Sequence, residues 1–68
     1  MQTIQLSRRQ NEILALIVQG YANKGIAYQL GMSEKTVKNH LTTVFRKLNV
    51  ESRTQAAVWV MRQNMGTR

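Results

Sequence analysis

Cysteine and proline are absent from this chain of 68 residues, which holds one histidine and three acidic residues. Without cysteine there is neither a disulfide framework nor a thiolate metal site, and the sequence does not report a redox compartment. One histidine and three scattered carboxylates cannot supply a zinc site or a catalytic triad. No glycine-rich phosphate-binding loop occurs either. The sequence therefore predicts a protein that is not an enzyme and that uses no cofactor and no metal.

Long apolar runs are also missing. No segment approaches the ~18 consecutive apolar residues of a membrane span. The start of the chain, MQTIQLSRRQ, lacks the cation-then-apolar order of a signal peptide. We therefore expect a cytoplasmic protein with no membrane partner.

Acidic residues are so few that positive charge dominates. Ten Lys or Arg against three Asp or Glu give a formal net charge of +7. Such a balance favours polyanionic partners, with nucleic acid first and an anionic membrane surface second. The length of the chain allows one small domain with a marginal core.

Four stretches with helical periodicity predict an all-α, four-helix domain at residues 6–66, after a lead-in or linker end at 1–5. The expected helices span about residues 8–19, 24–30, 34–48 and 53–64. Each follows a residue that suits an N-cap, namely Ser7, Asn23, Ser33 and Ser52. Residues that suit a left-handed helix end follow the first three: Gly20, Gly31 and Asn49. The inward residues of the first two helices are expected to be Gln10, Ile13, Leu14, Ile17, Ile26, Ala27 and Leu30.

The third helix is predicted to be strongly amphipathic. Its apolar residues share roughly 100° of arc and are Val37, Leu41, Val44, Phe45 and Leu48. The opposite arc carries Lys35, Lys38, Asn39, Thr42, Thr43 and Arg46, with His40 and Lys47 on its shoulder. A short helix, a tight turn and a long helix form the helix-turn-helix pattern, in which the second helix projects towards a groove. The alternative interpretation is a surface helix with a solvated face.

The fourth helix has apolar residues on two sides. One arc consists of Ala56, Ala57 and Val60, flanked by Trp59, and the nearly opposite arc of Thr54, Val58, Met61 and Met65. A helix that is apolar on both sides is usually buried on both sides, yet a chain of this size offers no second layer. The second arc therefore predicts a self-association surface, most simply a two-fold dimer. Scattered surface hydrophobes are the alternative.

Two segments, LSRRQNEIL and GYANKGIAYQLGMSEKTVKNHLTTVFRKLNVESRTQAAV, resemble the DNA-binding domain of LuxR-type transcriptional regulators, including the NarL/FixJ response regulators. The likeness covers about residues 6–62, and its most specific part runs from Asn23 to His40. The resemblance implies a four-helix domain whose third helix reads the DNA major groove and whose fourth helix forms dimers.

The resemblance also implies roles for individual side chains. The base-reading positions are Lys38, Asn39 and Thr42. The DNA backbone positions are Asn23, Lys24, Ser33, Lys35, Thr36, His40, Arg46 and Lys47. This division is physically reasonable, because the first half of a recognition helix reaches base edges while flanking cations and helix starts meet phosphate. Lys38 can donate to guanine, Asn39 can pair with adenine, and Thr42 can contact a thymine methyl group.

Three departures from the family's pattern matter. Asn39 and Thr42 fall at its variable reading positions, so no relative's target site can be assumed for this chain. Gln10 stands where the family usually has Glu, which removes a charge but keeps the first helix cap. Gly25 stands where a non-glycine residue is common, so we expect a less stable second helix.

These observations predict sequence-specific binding of double-stranded DNA by the output domain of a bacterial transcription regulator. A homodimer on an inverted repeat is expected, with RNA polymerase as a candidate further partner. Most family members carry an N-terminal receiver or sensing domain, so the chain is expected to be either an excised output domain or a stand-alone regulator. The main alternative is a helical protein-interaction module of the same fold with only non-specific DNA affinity. A basic membrane peptide and an RNA-binding module are further alternatives, the latter disfavoured by the few stacking aromatics.

Overall fold

The computed structural model of this chain describes residues 5–66, with side chains described through residue 63. It contains α1 (Arg8–Val18), α2 (Asn23–Leu30), α3 (Glu34–Leu48) and α4 (Arg53–Gly66). The predicted all-α, four-helix class is confirmed, and every helix boundary lies within two residues of its expected place. Apart from Gln5, the expected lead-in lies outside the described residues. Among the described residues, no helix combines the length and apolar character needed to cross a membrane.

Two clusters of buried side chains form the core. The first joins α1, α2 and α3 through Ile13, Ile17, Ile26, Ala27, Val37 and Leu41. The second joins α1, α3 and α4 through Leu14, Val44, Leu48 and Ala56. The half-buried Phe45 packs against both clusters. All these residues lie on the arcs that the periodicity predicted to face inward, so one side of α3 is held firmly against the other three helices.

The first three helices end in the same way. Gly20, Gly31 and Asn49 have positive φ angles of 97°, 67° and 57°. After each of them an amide donates back five residues: Tyr21 to Leu16, Met32 to Ala27 and Val50 to Phe45, each at 3.0 Å. This is the Schellman arrangement, which satisfies carbonyls that a helix end leaves unpaired. It also turns an apolar side chain back onto the core, so the three predicted helix ends are confirmed.

Side chains cap three of the four helices at their start. Ser7 and Gln10 form the predicted capping box, in which the two backbone nitrogens lie 2.9 and 3.1 Å from the side-chain oxygens that accept from them. The hydroxyls of Ser33 and Ser52 each accept from the backbone N–H three residues later, at 3.1 Å. The prediction that Asn23 caps α2 is wrong. The cap position is Ala22, and Asn23 is the first helical residue.

The turn between α2 and α3 depends on the left-handed backbone of Gly31. A Cβ added at Gly31 would meet no atom within 4 Å, so the only cost of a side chain there is backbone strain. We expect Gly31→Ala to destabilise the domain by about 1–2 kcal/mol. In a domain of this size each kcal/mol lowers Tm by about 4–8 °C.

Gly31→Asn is the matched control, because asparagine tolerates the left-handed region and should cost clearly less than alanine. Thermal unfolding followed by circular dichroism measures both variants. Equal destabilisation by alanine and asparagine would show that the strain argument does not hold at this turn.

Gly25 lies under an aromatic ring. A Cβ at this position would approach Cδ2 of Tyr21 to 3.0 Å, which is tighter than ordinary van der Waals contact. The glycine thus leaves room for the Tyr21 ring, which packs against the cluster of α1, α2 and α3. That α2 is less stable for its glycine stays a prediction.

Candidate nucleic-acid interface

The outer side of α3 is a polar surface with several cations. Val37, Leu41, Val44 and Leu48 are buried on the inner side of this helix. The side that faces away from the core exposes Lys35, Lys38, Asn39, Thr42 and Arg46. Five residues that the sequence analysis selected for DNA contact therefore share one exposed face.

No acidic group neutralises this face. Within the described part of the chain, the ion pairs are those of Arg8 and Arg9 with Glu12 on α1. Glu34 is the only acid on α3 and lies in its first turn, where the helix dipole favours negative charge. The cations of α3 are thus available to an external anion.

Two threonines on α3 use their hydroxyl hydrogens within the helix. Thr42 Oγ1 donates to the carbonyl of Lys38 at 3.0 Å, and Thr43 Oγ1 donates to that of Asn39 at 3.3 Å. Because the Thr42 hydroxyl is bound to its own helix, its remaining polar capacity is as an acceptor. Its methyl group is free for an apolar contact, as its expected role against a thymine methyl requires.

At the start of α3, the hydroxyls of Ser33 and Thr36 are not equivalent. Ser33 Oγ accepts from the Thr36 backbone N–H at 3.1 Å and donates to Thr36 Oγ1 at 3.0 Å. The Ser33 hydrogen is therefore used inside the turn. The Thr36 hydrogen is left for another acceptor, which makes Thr36 the better hydroxyl donor of the two.

Lys47 lies on the shoulder of α3 and joins it to the start of α1. Its Nζ donates to the carbonyl of Gln5 at 3.2 Å and to Oε1 of Gln10 at 3.4 Å. Gln10 is only 7% exposed and is the same residue that closes the α1 capping box. No local sequence pattern predicts this contact, which holds the ammonium group in place without neutralising it.

Replacing Gln10 by Glu should stabilise the fold and weaken DNA binding slightly. A carboxylate here would pair with Lys47 and lie in the first turn of α1, where the dipole favours it; together these should add about 0.5–1.5 kcal/mol. Denaturant unfolding of Gln10→Glu at low and high salt measures the gain, which should shrink as salt rises.

Gln10→Ala is the control for this variant. It removes the cap and the Lys47 contact together and should destabilise the domain by about 1 kcal/mol. A Gln10→Glu variant no more stable than the original chain would contradict the proposed pairing.

Three backbone candidates remain: His40, which is half-buried on α3, and Asn23 and Lys24 at the start of α2. Lys24 is exposed and Asn23 is half-buried. The Asn23 Oδ1 atom accepts from Nη2 of Arg53, at the start of α4, at 2.7 Å. Sequence reasoning missed Arg53, because no local pattern signals a contact between residues so far apart.

The outer arc of α4 is apolar and accessible. Val58 is 36% exposed and Met61 is 48% exposed. Val58 and Thr54 also line a shallow groove of about 430 Å³, together with Val50, Gln55, Trp59, Arg62 and Gln63. The opposite arc packs inward through Ala56, Ala57, Trp59 and Val60. The side chain of Met65, the fourth residue predicted for this surface, lies outside the described residues.

The fold and the cationic face of α3 define a helix-turn-helix protein. The family model described as bacterial regulatory proteins, luxR family, matches residues 4–60. The chain therefore belongs to the luxR family of bacterial regulatory proteins, and it is a DNA-binding helix-turn-helix domain of the kind found in transcription regulators. The resemblance drawn from the sequence is confirmed.

Individual relatives agree with this assignment. The transcriptional regulatory protein DegU of Brevibacillus brevis is 51% identical over 53 residues, which cover 78% of this chain and 22% of DegU. The nitrate/nitrite response regulator NarL of Escherichia coli K12 is 44% identical over 61 residues, which cover 90% of this chain and 28% of NarL. The chain thus spans less than a third of the length of these curated relatives.

Solved structures show the same fold. The transcription factor GerE superposes with a TM-score of 0.80 at 40% identity, covering 93% of this chain and 92% of GerE. The DNA-binding domain of the response regulator ComA, complexed with the anti-activator RapF, gives 0.79 at 38% identity and covers 81% of this chain and 95% of that domain.

Proposed function

We propose that this domain binds double-stranded DNA at specific sequences by inserting α3 into the major groove. The observation that carries the proposal is the outer face of α3, which lies opposite four buried residues. It is exposed and cationic, and it has no acidic partner among the described residues. The major groove of B-DNA is about 12 Å wide and admits an α-helix. The activity is binding without catalysis, as the output step of a transcription regulator in the bacterial cytoplasm.

Within this proposal, three neighbouring side chains of α3 read bases. Lys38, Asn39 and Thr42 lie on its exposed side, and each good contact is worth about 1–3 kcal/mol of discrimination. Phosphate contacts come from the surrounding groups: Asn23, Lys24, Ser33, Lys35, Thr36, His40, Arg46 and Lys47. Non-specific affinity then falls steeply with salt, because each neutralised phosphate releases counterions.

We further propose that the domain acts as a homodimer through the outer arc of α4. The exposed Val58 and Met61 on a helix already packed on its other side support this surface. A two-fold dimer reads an inverted repeat, and its two recognition helices must meet half-sites about one helical turn, or a multiple of it, apart.

The test is an in vitro selection of this chain against randomised duplex DNA at near-physiological salt. We expect enrichment of an inverted repeat. Binding that stays independent of sequence and vanishes as salt rises would contradict specific readout by the domain alone.

A protein partner is the second candidate function. The related ComA domain is complexed with an anti-activator, and the α4 groove of this chain offers an apolar surface of its own. On this proposal the domain contacts a regulatory protein or RNA polymerase through α4. The same selection separates the two candidates, because a pure interaction module would enrich no DNA sequence.

A further inference from the structure

Arg53 connects two parts of the fold that are otherwise apart. Helices α2 and α4 each pack against α1 and α3 rather than against each other. Nη2 of Arg53, the first residue of α4, donates to Oδ1 of Asn23 at 2.7 Å and to the carbonyl of Tyr21 at 3.2 Å. These two hydrogen bonds join the start of α4 to the start of α2.

The bond to Arg53 determines which way the Asn23 amide faces. A guanidinium group only donates hydrogen bonds, so the atom of Asn23 that meets it must be the oxygen. The amide nitrogen, with its two hydrogens, is then turned away from Arg53. It has no hydrogen-bond acceptor among residues 5–63, and Asn23 is only half-buried.

The Tyr21 carbonyl makes Arg53 a rigid support. Tyr21 is held by the helix end of α1, where its N–H donates to Leu16 at 3.0 Å. Its ring packs over Gly25 and against the core. The bond to the Tyr21 carbonyl thus fixes the Arg53 guanidinium group, which in turn fixes the Asn23 amide. The conformational entropy of the Asn23 side chain is therefore lost on folding, before any ligand binds.

The start of α2 offers further donors beside this amide. Ala22 supplies no side-chain cap, so the first backbone N–H groups of α2 have no partner from a capping side chain. The exposed Lys24 follows directly. The N–H groups of the Asn23 amide, carried by the first residue of α2, add to a set of donors that suit one phosphate.

We propose that Arg53 is a positioning residue, which holds the Asn23 amide so that its N–H groups meet a DNA phosphate. The proposal rests on the DNA-binding function above and adds a residue outside the helix-turn-helix that sets its phosphate contact. Arg53 itself does not touch the DNA.

A double-mutant cycle on DNA affinity tests this role. Arg53→Met keeps the length of the side chain and removes its donors, while Asn23→Ala removes the amide. We expect each single variant to bind a duplex about three- to tenfold more weakly, the effect of one phosphate hydrogen bond. The double variant should be no weaker than the single ones, because Arg53 acts only through Asn23.

Two control variants accompany the cycle. Arg8→Met removes the same charge from a side chain that is 94% exposed and forms an ion pair with Glu12, so its effect should be clearly smaller. Arg53→Lys keeps the charge and one donor group and should recover part of the affinity. Affinities are compared below the unfolding temperature of every variant.

The cycle is run on an arbitrary duplex as well as on the selected site, because a phosphate contact does not depend on base sequence. Failure to select any site would thus count against sequence-specific readout and not against the role of Arg53. An undiminished effect of Arg53→Met in the Asn23→Ala background would overturn the proposal, since Arg53 would then act by itself. So would wild-type affinity in Arg53→Met.

If Arg53→Met fails to fold, an NMR titration of the wild-type chain with DNA provides a second test. The side-chain NH₂ signals of Asn23 in a ¹⁵N-resolved NMR spectrum should shift when the duplex is added. Signals that do not respond to DNA would overturn the proposal without any variant.

Discussion

Replacing Val58 by aspartate should weaken binding to a duplex with two half-sites by about 10²-fold or more. A dimer whose two domains bind neighbouring half-sites gains about this much affinity from effective concentration. The side chain is 36% exposed on the outer arc of α4, and a charge there would have to be desolvated in a dimer interface. Affinity for a single half-site should stay the same. The fold should persist, because Val58 contributes to neither cluster of buried residues.

The chain contains a matched control for this variant. Val18 on α1 is 39% exposed, so Val18→Asp places the same charge at an equally accessible valine outside the proposed interface. Sedimentation on and off DNA measures the oligomeric state of both variants, and Met61→Asp provides a second disruption. An unchanged oligomeric state in Val58→Asp, or equal losses in Val18→Asp, would refute the α4 interface.

Lys38→Ala should abolish discrimination at one base pair of each half-site, a loss of about 1–3 kcal/mol per half-site. Lys38 lies on the exposed side of α3, where its ammonium group has no acidic partner in the part of the chain that the structure describes. Binding to unrelated DNA should fall only slightly, because the variant loses one positive charge.

Lys47→Ala is the comparison that distinguishes base recognition from sequence-independent electrostatic binding. Lys47 is held by Gln5 and Gln10 on the shoulder of α3, where it is expected to contact a phosphate. Because a phosphate contact carries no sequence information, Lys47→Ala should weaken binding to all sequences alike and lower the salt dependence by about one counterion. Competition binding against single base-pair variants of the selected site measures both effects. Equal losses on every sequence for both variants would show that Lys38 does not read bases.

Local rules predicted most of the fold. Serines cap helices, glycines and an asparagine adopt the left-handed conformation at helix ends, and apolar residues recur at helical spacing. Each of these rules involves only residues a few positions apart in the sequence. They located all four helices to within two residues, together with the inward residues of the core. At the start of α2 the helix-start rule is wrong by one residue, since the cap position is Ala22 and Asn23 is already helical. The side-chain oxygen of Asn23 is bound to Arg53, thirty residues further along the chain, and no helix-start rule includes such a contact.

The candidate interface was predictable in outline and not in detail. The periodicity of α3 separates a buried side from a cationic side, which is enough to locate an exposed DNA-facing surface. Which of the Ser33 and Thr36 hydroxyls keeps a hydrogen for an outside acceptor depends on one hydrogen bond of 3.0 Å between them. The support of Lys47 by Gln10 depends on how α1 crosses α3. Residue types alone determine neither.

The most direct test of major-groove reading by α3 is methylation interference on the selected duplex. Dimethyl sulfate modifies guanine N7 in the major groove and adenine N3 in the minor groove. Lys38 is expected to donate to guanine N7 or O6. We predict that methylation of a guanine N7 in each half-site blocks binding of the original chain and has little effect on Lys38→Ala. Interference confined to adenine N3, or none at any guanine, would contradict insertion of α3 into the major groove.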